Sequence, residues 1–433
     1  MADNDKEKNQ SNINASSNGT IPPATADYEV SEENYSFWGA VWRRFRRHKL
    51  AIFGLWVLVI VFLFSFVGPV IYTTDPSENI FEEDVANYYL SQINKVIKKD
   101  PAIKEYLGQS LTQFEQDLKT ADQLKTKAAS GDYEALSQLA FSRSDISSLS
   151  MQILSQMASY TDSNGNQPYT YFLDMTRYLS PPGLPVGAPG HPLGTDDQGR
   201  DLLARVMFGG KVSFTIGVVS ALIAVILGSL IGLVAGYVGG VVDTLLMRFV
   251  DIMLSIPSMP LLLALAPLIR RWTKTLTEGM GLGVFGAILP MVLVLAIFGW
   301  MGLSRLVRGE VLSLREQQFI EAARAIGVPT SRILSRHLFP NVIAPVVVAA
   351  SLAVAGNIIE EASLSFLGFG IQPPATSWGQ ILNVAINFIN SPEQIVRYWN
   401  MIFIPGALLF LTVLSFNFAG DGLRDAVDPR MKL

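Results

Sequence analysis

The residues with the clearest capacity for work lie in a short charged stretch between apolar runs, Ser313-Leu-Arg-Glu-Gln-Gln-Phe-Ile-Glu-Ala-Ala-Arg-Ala-Ile-Gly-Val-Pro329. At 3.6 residues per turn, Phe319, Ala322, Ala323 and Ile326 fall on one helical face while Glu321 and Arg324 point elsewhere. Gly327 and then Pro329 end the helix. The chemistry offered here is non-covalent. Alanines admit a second surface closely and the charges offer ion pairs, which suits a docking element; the same pattern equally suits a helix resting on a bilayer. Bond-making chemistry finds no support elsewhere. Gly209-Gly-Lys211 is followed by Val212, so no GxxxxGK[ST] loop cradles a phosphate, and neither an HExxH helix nor a GxSxG elbow occurs. With no cysteine and only His48, His191 and His337, the chain has no disulfide and no thiolate or histidine-rich metal site.

The elements that must position this stretch are membrane spans. Of 433 residues, 49% are hydrophobic and 16% charged, and the mean hydropathy is +0.32, too apolar for a soluble protein of this size. Leu50–Tyr72 runs 23 residues without a charge, enough to cross a core of about 30 Å. Arg43, Arg44, Arg46, Arg47, His48 and Lys49 precede it and hold the amino terminus in the cytosol. Further spans are expected over 213–238, 246–268, 284–303, 342–362 and 399–419, giving an all-α protein with six transmembrane helices. Alternation then places the chain after the first span outside, 304–341 inside and the carboxyl end inside. Arg305, Arg308, Arg315, Arg324, Arg332 and Arg336 agree with that, whereas Arg270, Arg271 and Lys274 in a predicted outer loop, 269–283, run against it. The net charge of −4 conceals this asymmetry, with acids gathered in the tail and in 76–147.

The expected domains are a cytosolic tail and basic flank, 1–49, with a polar, disordered Met1–Glu33; the first span, 50–72; an extracytoplasmic insert and amphipathic segment, 73–211; a transmembrane core, 212–421, carrying the cytosolic loop 304–341; and a cytosolic tail, 422–433. Within the insert, 82–160 reads as several amphipathic helices ended by turn-rich Asp162–Asn166 and by the stretch from Leu179 to Gly187. Thr195 and Gln198 stand at capping-box spacing before a helix whose Leu202, Leu203, Val206 and Met207 face one way, with Asp201 and Arg205 away. Gly209-Gly210 should stop that helix, leaving it along the outer membrane surface.

Gly228, Gly232, Gly236 and Gly240 recur every four residues on one face of the second span, a seam where another helix can approach, more simply within the bundle than between subunits. Prolines 257, 260, 267, 290, 345 and 405 interrupt the later spans and should bend them. Charges lie near span ends, Glu360 and Glu361 outward and Asp251 inward, so an ion-coupled carrier is disfavoured and the energy must come from elsewhere.

Taken with their order, several segments resemble the permease subunits of binding-protein-dependent ABC importers, in the oligopeptide, dipeptide and nickel branch, and in particular the second permease of the pair. They are His191-Pro-Leu-Gly-Thr-Asp196 with Gly199-Arg-Asp201, Ala235-Gly-Tyr-Val-Gly-Gly240 with Asp243, Met247-Arg-Phe-Val-Asp251, Leu364-Ser-Phe-Leu-Gly368, Ser377-Trp-Gly379, and Gly420-Asp-Gly-Leu-Arg-Asp-Ala-Val-Asp-Pro-Arg430. Glu321, Ala322, Ala323, Gly327 and Pro340 match the family's coupling-loop pattern, with His337 and Phe339 in place of its Ile and Leu. The resemblance covers 36–72 and most of 178–433; relatives have a much shorter connector over 76–178.

The resemblance implies the type I ABC importer transmembrane fold and an ATPase-coupling role for those five residues. It implies a companion permease, two ATP-binding subunits, a substrate-binding protein outside the cell, a lipid membrane and a peptide substrate. ATP and Mg would sit on the partner ATPases and no cofactor on this chain, which would have no enzyme activity of its own, no nucleic-acid partner, and a place in a prokaryotic plasma membrane. Nickel import is the same-family alternative. A stand-alone channel or receptor is the alternative of a different class, and the coupling loop argues against it.

Overall fold

The computed structural model describes residues 37–427 apart from 77–81, 130–131, 163, 171–183, 189, 197, 278–282, 374 and 390–391. The expectations for Met1–Glu33, for the turn beginning at Leu179, and for Arg430 and Lys432 lie outside the described residues. The chain divides into Met1–Ala40 and Val41–Leu433. Only the first turn of α1 (Phe37–Phe45) represents the former among the described residues.

Among the described residues the larger unit is built of helices, with two isolated β-bridges, Ala188–His191 and Thr195–Asp201, in the turns that lead into the bundle. His48 caps α2 (Lys49–Phe66) by accepting from the Ala51 N–H, and the chain continues into α3 (Gly68–Ile71). The insert forms α4 (Glu82–Lys99), α5 (Ala102–Ala129) and α6 (Tyr133–Ser159). Asp132 caps α6 through the N–H groups of Glu134 and Ala135. Helical spacing puts Val85, Tyr89 and Ile93 of α4, Ile103, Leu111 and Phe114 of α5, and Ile146, Ile153 and Met157 of α6 into one buried cluster, so the insert has its own core. Gly108, at φ 47°, ψ −120°, kinks α5.

The membrane bundle, opened by α2, resumes with α7 (Leu202–Val238), a continuous helix of 37 residues. The expected stop at Gly209-Gly210 and the surface-lying segment before it are therefore not found. These glycines instead let α7 pass close to a neighbour: a β-carbon on Gly209 would lie 3.1 Å from the Ser377 carbonyl carbon, and one on Gly210 2.7 Å from the Trp378 ring. Leu202, Ala204, Arg205 and Val206 are all buried, so this turn has no lipid-facing side to lie on. Asp201, not Thr195, is the cap, accepting from the Ala204 N–H at 2.7 Å.

After Gly239 come α8 (Gly240–Ser255) and α9 (Ser258–Thr277), bent from one another by 92° at Pro257. Then follow α10 (Gly283–Leu314), the short α11 (Gln318–Ala325), and a turn at Thr330–Arg332 leading through a π-helical stretch, Ile333–Leu338, into α12 (Phe339–Phe366). The bundle is completed by α13 (Trp378–Ala385), α14 (Pro392–Arg397) and α15 (Trp399–Val427). Among the described residues, five helices are long and apolar enough to cross a membrane, or six if the bent pair counts as one.

Contacts at the helix ends decide that count. Tyr72, after α3, touches Asp201 at the start of α7, whereas Asp425 in α15 meets His48 at the start of α2. Tyr237, near the end of α7, meets Arg324 in α11, and Arg270 in α9 donates to the carbonyls of Phe369 and Gly370 beyond the far end of α12. The α8–α9 pair thus travels from one end of the bundle to the other and is one broken crossing, making six. Helix α9 also extends to Thr277, so the loop expected from 269 starts later, and Arg270 is a cation at the carbonyl end of α12.

Candidate functional site

The loop between α10 and α12 builds its exposed surface on a buried footing. Helix α11 has eight residues, too few to persist alone, and is held by what lies beneath it. Ile320 and Ala323 are buried in a cluster with Leu233, Val307, Val311, Ile333 and Leu338. The sequence pattern set Phe319, Ala322, Ala323 and Ile326 on one face; of these only Ala323 turns inward. Ile320 takes the anchoring place because the helix is too short to bury a full stripe, so only one pair three residues apart reaches the core.

Gly327 ends α11 in the left-handed region at φ 77°. Its N–H bonds to the Arg324 carbonyl (3.0 Å) and that of Val328 to the Ala323 carbonyl (3.0 Å). This is a Schellman closure, and it needs glycine. Arg324 folds back over the Tyr237 ring, 4.9 Å from its centroid, and Arg315 donates to the Gly236 carbonyl at 3.2 Å. Phe319, Glu321, Ala322 and Ile326 remain outward, Ile326 being 81% exposed. An exposed isoleucine and phenylalanine flanking a carboxylate, on a helix clamped from below, can grip another protein's surface. Pro340 is exposed in the first turn of α12, directly after the π-helical stretch Ile333–Leu338.

Glycines brace this loop from behind. A β-carbon would lie 2.7 Å from the Trp300 carbonyl at Gly228, 2.6 Å from the Ser304 carbonyl at Gly232 and 2.8 Å from the Val311 β-carbon at Gly236. The seam is thus between α7 and α10 within one bundle. Gly240 does not join it: α7 ends at Val238, and Gly240 opens α8 at φ 58° with nothing within 4 Å of its added β-carbon. The sequence reading also missed two ion pairs that tie α8 to α10. Arg308 grips Asp243 through both carboxylate oxygens, at 2.5 and 2.6 Å, and Arg305 pairs with Asp251. Asp243 and Asp251, eight residues apart and so on the same side of an apolar helix, with Arg305 and Arg308 in the next span, were the available signal.

The opposite end of α7 is a second constellation. Asp196 is buried and accepts from the N–H groups of Gln198 and Arg200, from the Arg200 guanidinium at 2.8 Å, and from Arg205. Arg205, 1% exposed, reaches on to Gln380 at 3.4 Å. Trp378, fully buried, donates its indole N–H to the Val206 carbonyl at 2.9 Å. Asp201 accepts from the Tyr72 hydroxyl at 2.8 Å and lies 2.6 Å from His191 Nδ1. Burial, with Asp201 adding to it and a hydrogen bond to Thr74 opposing it, pushes the Tyr72 hydroxyl up to about 12, so the phenol keeps its proton and donates. Glu361 is wholly buried within the protein, accepting from Ser213 at 2.8 Å and Ser365 at 2.6 Å.

A bundle of long apolar helices, one of them broken, with a clamped short helix at one end and a charge-locked cap at the other is the architecture of a multi-span membrane protein. Residues 228–433 match the binding-protein-dependent transport system inner membrane component, and 36–91 match the N-terminal TM domain of oligopeptide transport permease C. The chain is 40% identical over 264 residues to the oligopeptide transport system permease protein OppC of Haemophilus influenzae, covering 61% of this chain and 77% of that one. It is 42% identical over 258 residues to the Escherichia coli OppC, covering 59% and 78%. A solved chain of the MetNI methionine ABC transporter, in an inward-facing conformation, aligns with 52% of this chain and 96% of that one at 22% identity, with a TM-score of 0.40. The chain belongs to the oligopeptide transport permease C family of binding-protein-dependent transport systems.

Proposed function

We propose that this chain is the second permease of an ATP-driven importer of oligopeptides or dipeptides, forming half of the translocation path and hydrolysing no ATP itself. The observation that carries the coupling role is α11: an outward Phe319, Glu321, Ala322 and Ile326 on a helix whose Ile320 and Ala323 are bolted into the bundle. It docks on one of two ATP-binding subunits, which hold the ATP and Mg. A companion permease supplies the other half of the path, and a substrate-binding protein delivers peptide from outside. Both termini lie in the cytosol of a prokaryotic cell, with the insert facing out. Closure of the ATPases pushes α11; Arg324 on Tyr237 and Arg315 on the Gly236 carbonyl pass the push to α7, and the glycine seam makes α10 follow. The bundle moves between two packed arrangements.

Glu321→Lys should abolish peptide uptake and release the ATP-binding subunits from the purified complex, with the variant still in the membrane. Full uptake together with intact ATPase association would exclude the coupling role. For orientation, Asn164→Cys should react with an impermeant maleimide in intact cells, and reaction only after lysis would reverse the topology.

A further inference from the structure

A groove runs along the apolar surface between the second half of α7 and the beginning of α12, with a cavity of about 490 Å³. That is the size of a pocket that holds a small molecule. Ile226, Leu230, Val234 and Leu334 line it, and the first three are 37% to 57% exposed. Two features separate it from an ordinary lipid-facing surface. The hydroxyl of Ser229, a residue 4% exposed, lines the groove and has no hydrogen-bond partner among the described residues, a costly arrangement that a ligand acceptor would relieve. At the mouth, Ser331 and Ser335 face in, and Arg332 and Arg336 beside them are exposed with no ion pair among the described residues. The π-helical turn Ile333–Leu338 sets these residues just ahead of α12.

We infer that this groove is a binding site for one anionic glycerophospholipid of the inner leaflet, its acyl chain along Leu230 and Ile226, its ester carbonyl accepting from Ser229, and its phosphate between Arg332 and Arg336. The apolar wall demands a chain, the buried hydroxyl an acceptor part-way along it, and the paired cations an anion at its mouth. From Val234 to Ser229 the headgroup and glycerol fill the groove, and from Ser229 to Val225 four helical steps leave about 6 Å for the first carbons of the chain. The proposal rests on the orientation given above, because it is the inner leaflet that meets the arginines.

The test uses the assembled complex in nanodiscs, with phosphatidylglycerol or phosphatidylcholine carrying a diazirine in the acyl chain and the labelled residues mapped by mass spectrometry. Phosphatidylglycerol should label Ile226–Val234 or Ile343–Val346 at least several-fold more than phosphatidylcholine. Arg332→Ala with Arg336→Ala should erase that preference, and Leu230→Trp should remove labelling by both lipids. Equal labelling by the two lipids overturns the proposal. So does efficient cross-linking of a photo-amino acid at position 230 to the companion permease, which would mean protein covers the groove. Labelling is read without transport, so its failure beside normal uptake sinks the lipid site alone, whereas loss of ATPase association in the Glu321 experiment concerns only the coupling role.

Discussion

Around its first turns, α7 is surrounded by buried polar partners: Asp196 and Arg205 pair out of solvent, Trp378 bonds to the Val206 carbonyl, and Gly209 and Gly210 bring the α13 region against its backbone. Around its last turns, the polar partners are more open to solvent. Arg324 lies over Tyr237, and between the neighbouring α8 and α10 the Arg305–Asp251 pair is about half in solvent, while Arg308 and Asp243 beside it are more enclosed. Buried charges at the first end are costly to separate, so that end keeps one arrangement. Exposed pairs at the second contribute little individually and can be exchanged for a partner's groups. One helix therefore has a fixed end and an adaptable end, joined by a glycine seam rigid enough to carry displacement between them.

The contrast can be broken at either end. Asp196→Ala should have the largest effect on stability. It removes the carboxylate that faces the buried Arg205 and accepts from two backbone N–H groups, a loss of about 3–5 kcal/mol for a buried pair. Thermal denaturation of the detergent-solubilised complex should show a large fall, and an unchanged midpoint would mean the lock contributes nothing. Gly232→Leu comes next. Its side chain must displace the Ser304 carbonyl and Val307, an overpacking cost of about 1–3 kcal/mol, and it should also uncouple peptide uptake from ATP hydrolysis by parting α7 from α10. Wild-type coupling in a stably folded variant would show that the seam transmits nothing.

The smallest effect is one of pH. The folded state holds the Tyr72 proton up to about 12 while an unfolded tyrosine releases it near its ordinary value of 10.0. The sign follows: the stabilisation is complete below pH 10.0 and is lost as pH rises towards 12. Tyr72→Phe should flatten that part of the alkaline stability curve, and an unaltered curve would remove Tyr72 from the lock.

The spans, the helical insert and the short helix between α10 and α12 were legible in the sequence because each rests on a local signal: a long uncharged run, a 3.6-residue period, a charged helix ended by Gly327 and Pro329. What escaped was decided by partners distant in sequence. Gly209-Gly210 reads as a helix stop, but α13, some 170 residues on, packs against it and turns the pair into a close contact. Arg205 reads as a surface residue until Asp196 and Gln380 enclose it. Likewise, nothing in the period around α11 says that Ile320 rather than Phe319 meets Val311 and Leu338, since the choice is made by where α10 delivers the chain. Gly240 fits the spacing of the seam and is excluded only because the helix has already ended at Gly239.

The hydrogen bonds from Tyr72 to Asp201 and to the Gly190 carbonyl also bear on how such a chain could have arisen. They clasp the two stretches of chain that leave and re-enter the bundle, and the helices α4 to α6 between them are organised around their own apolar centre. A passenger whose points of attachment already touch can be acquired, exchanged or shed by recombination without re-threading a single span. The bundle is thus a chassis, and α4 to α6 are a fitting on it, free to diversify without disturbing the spans.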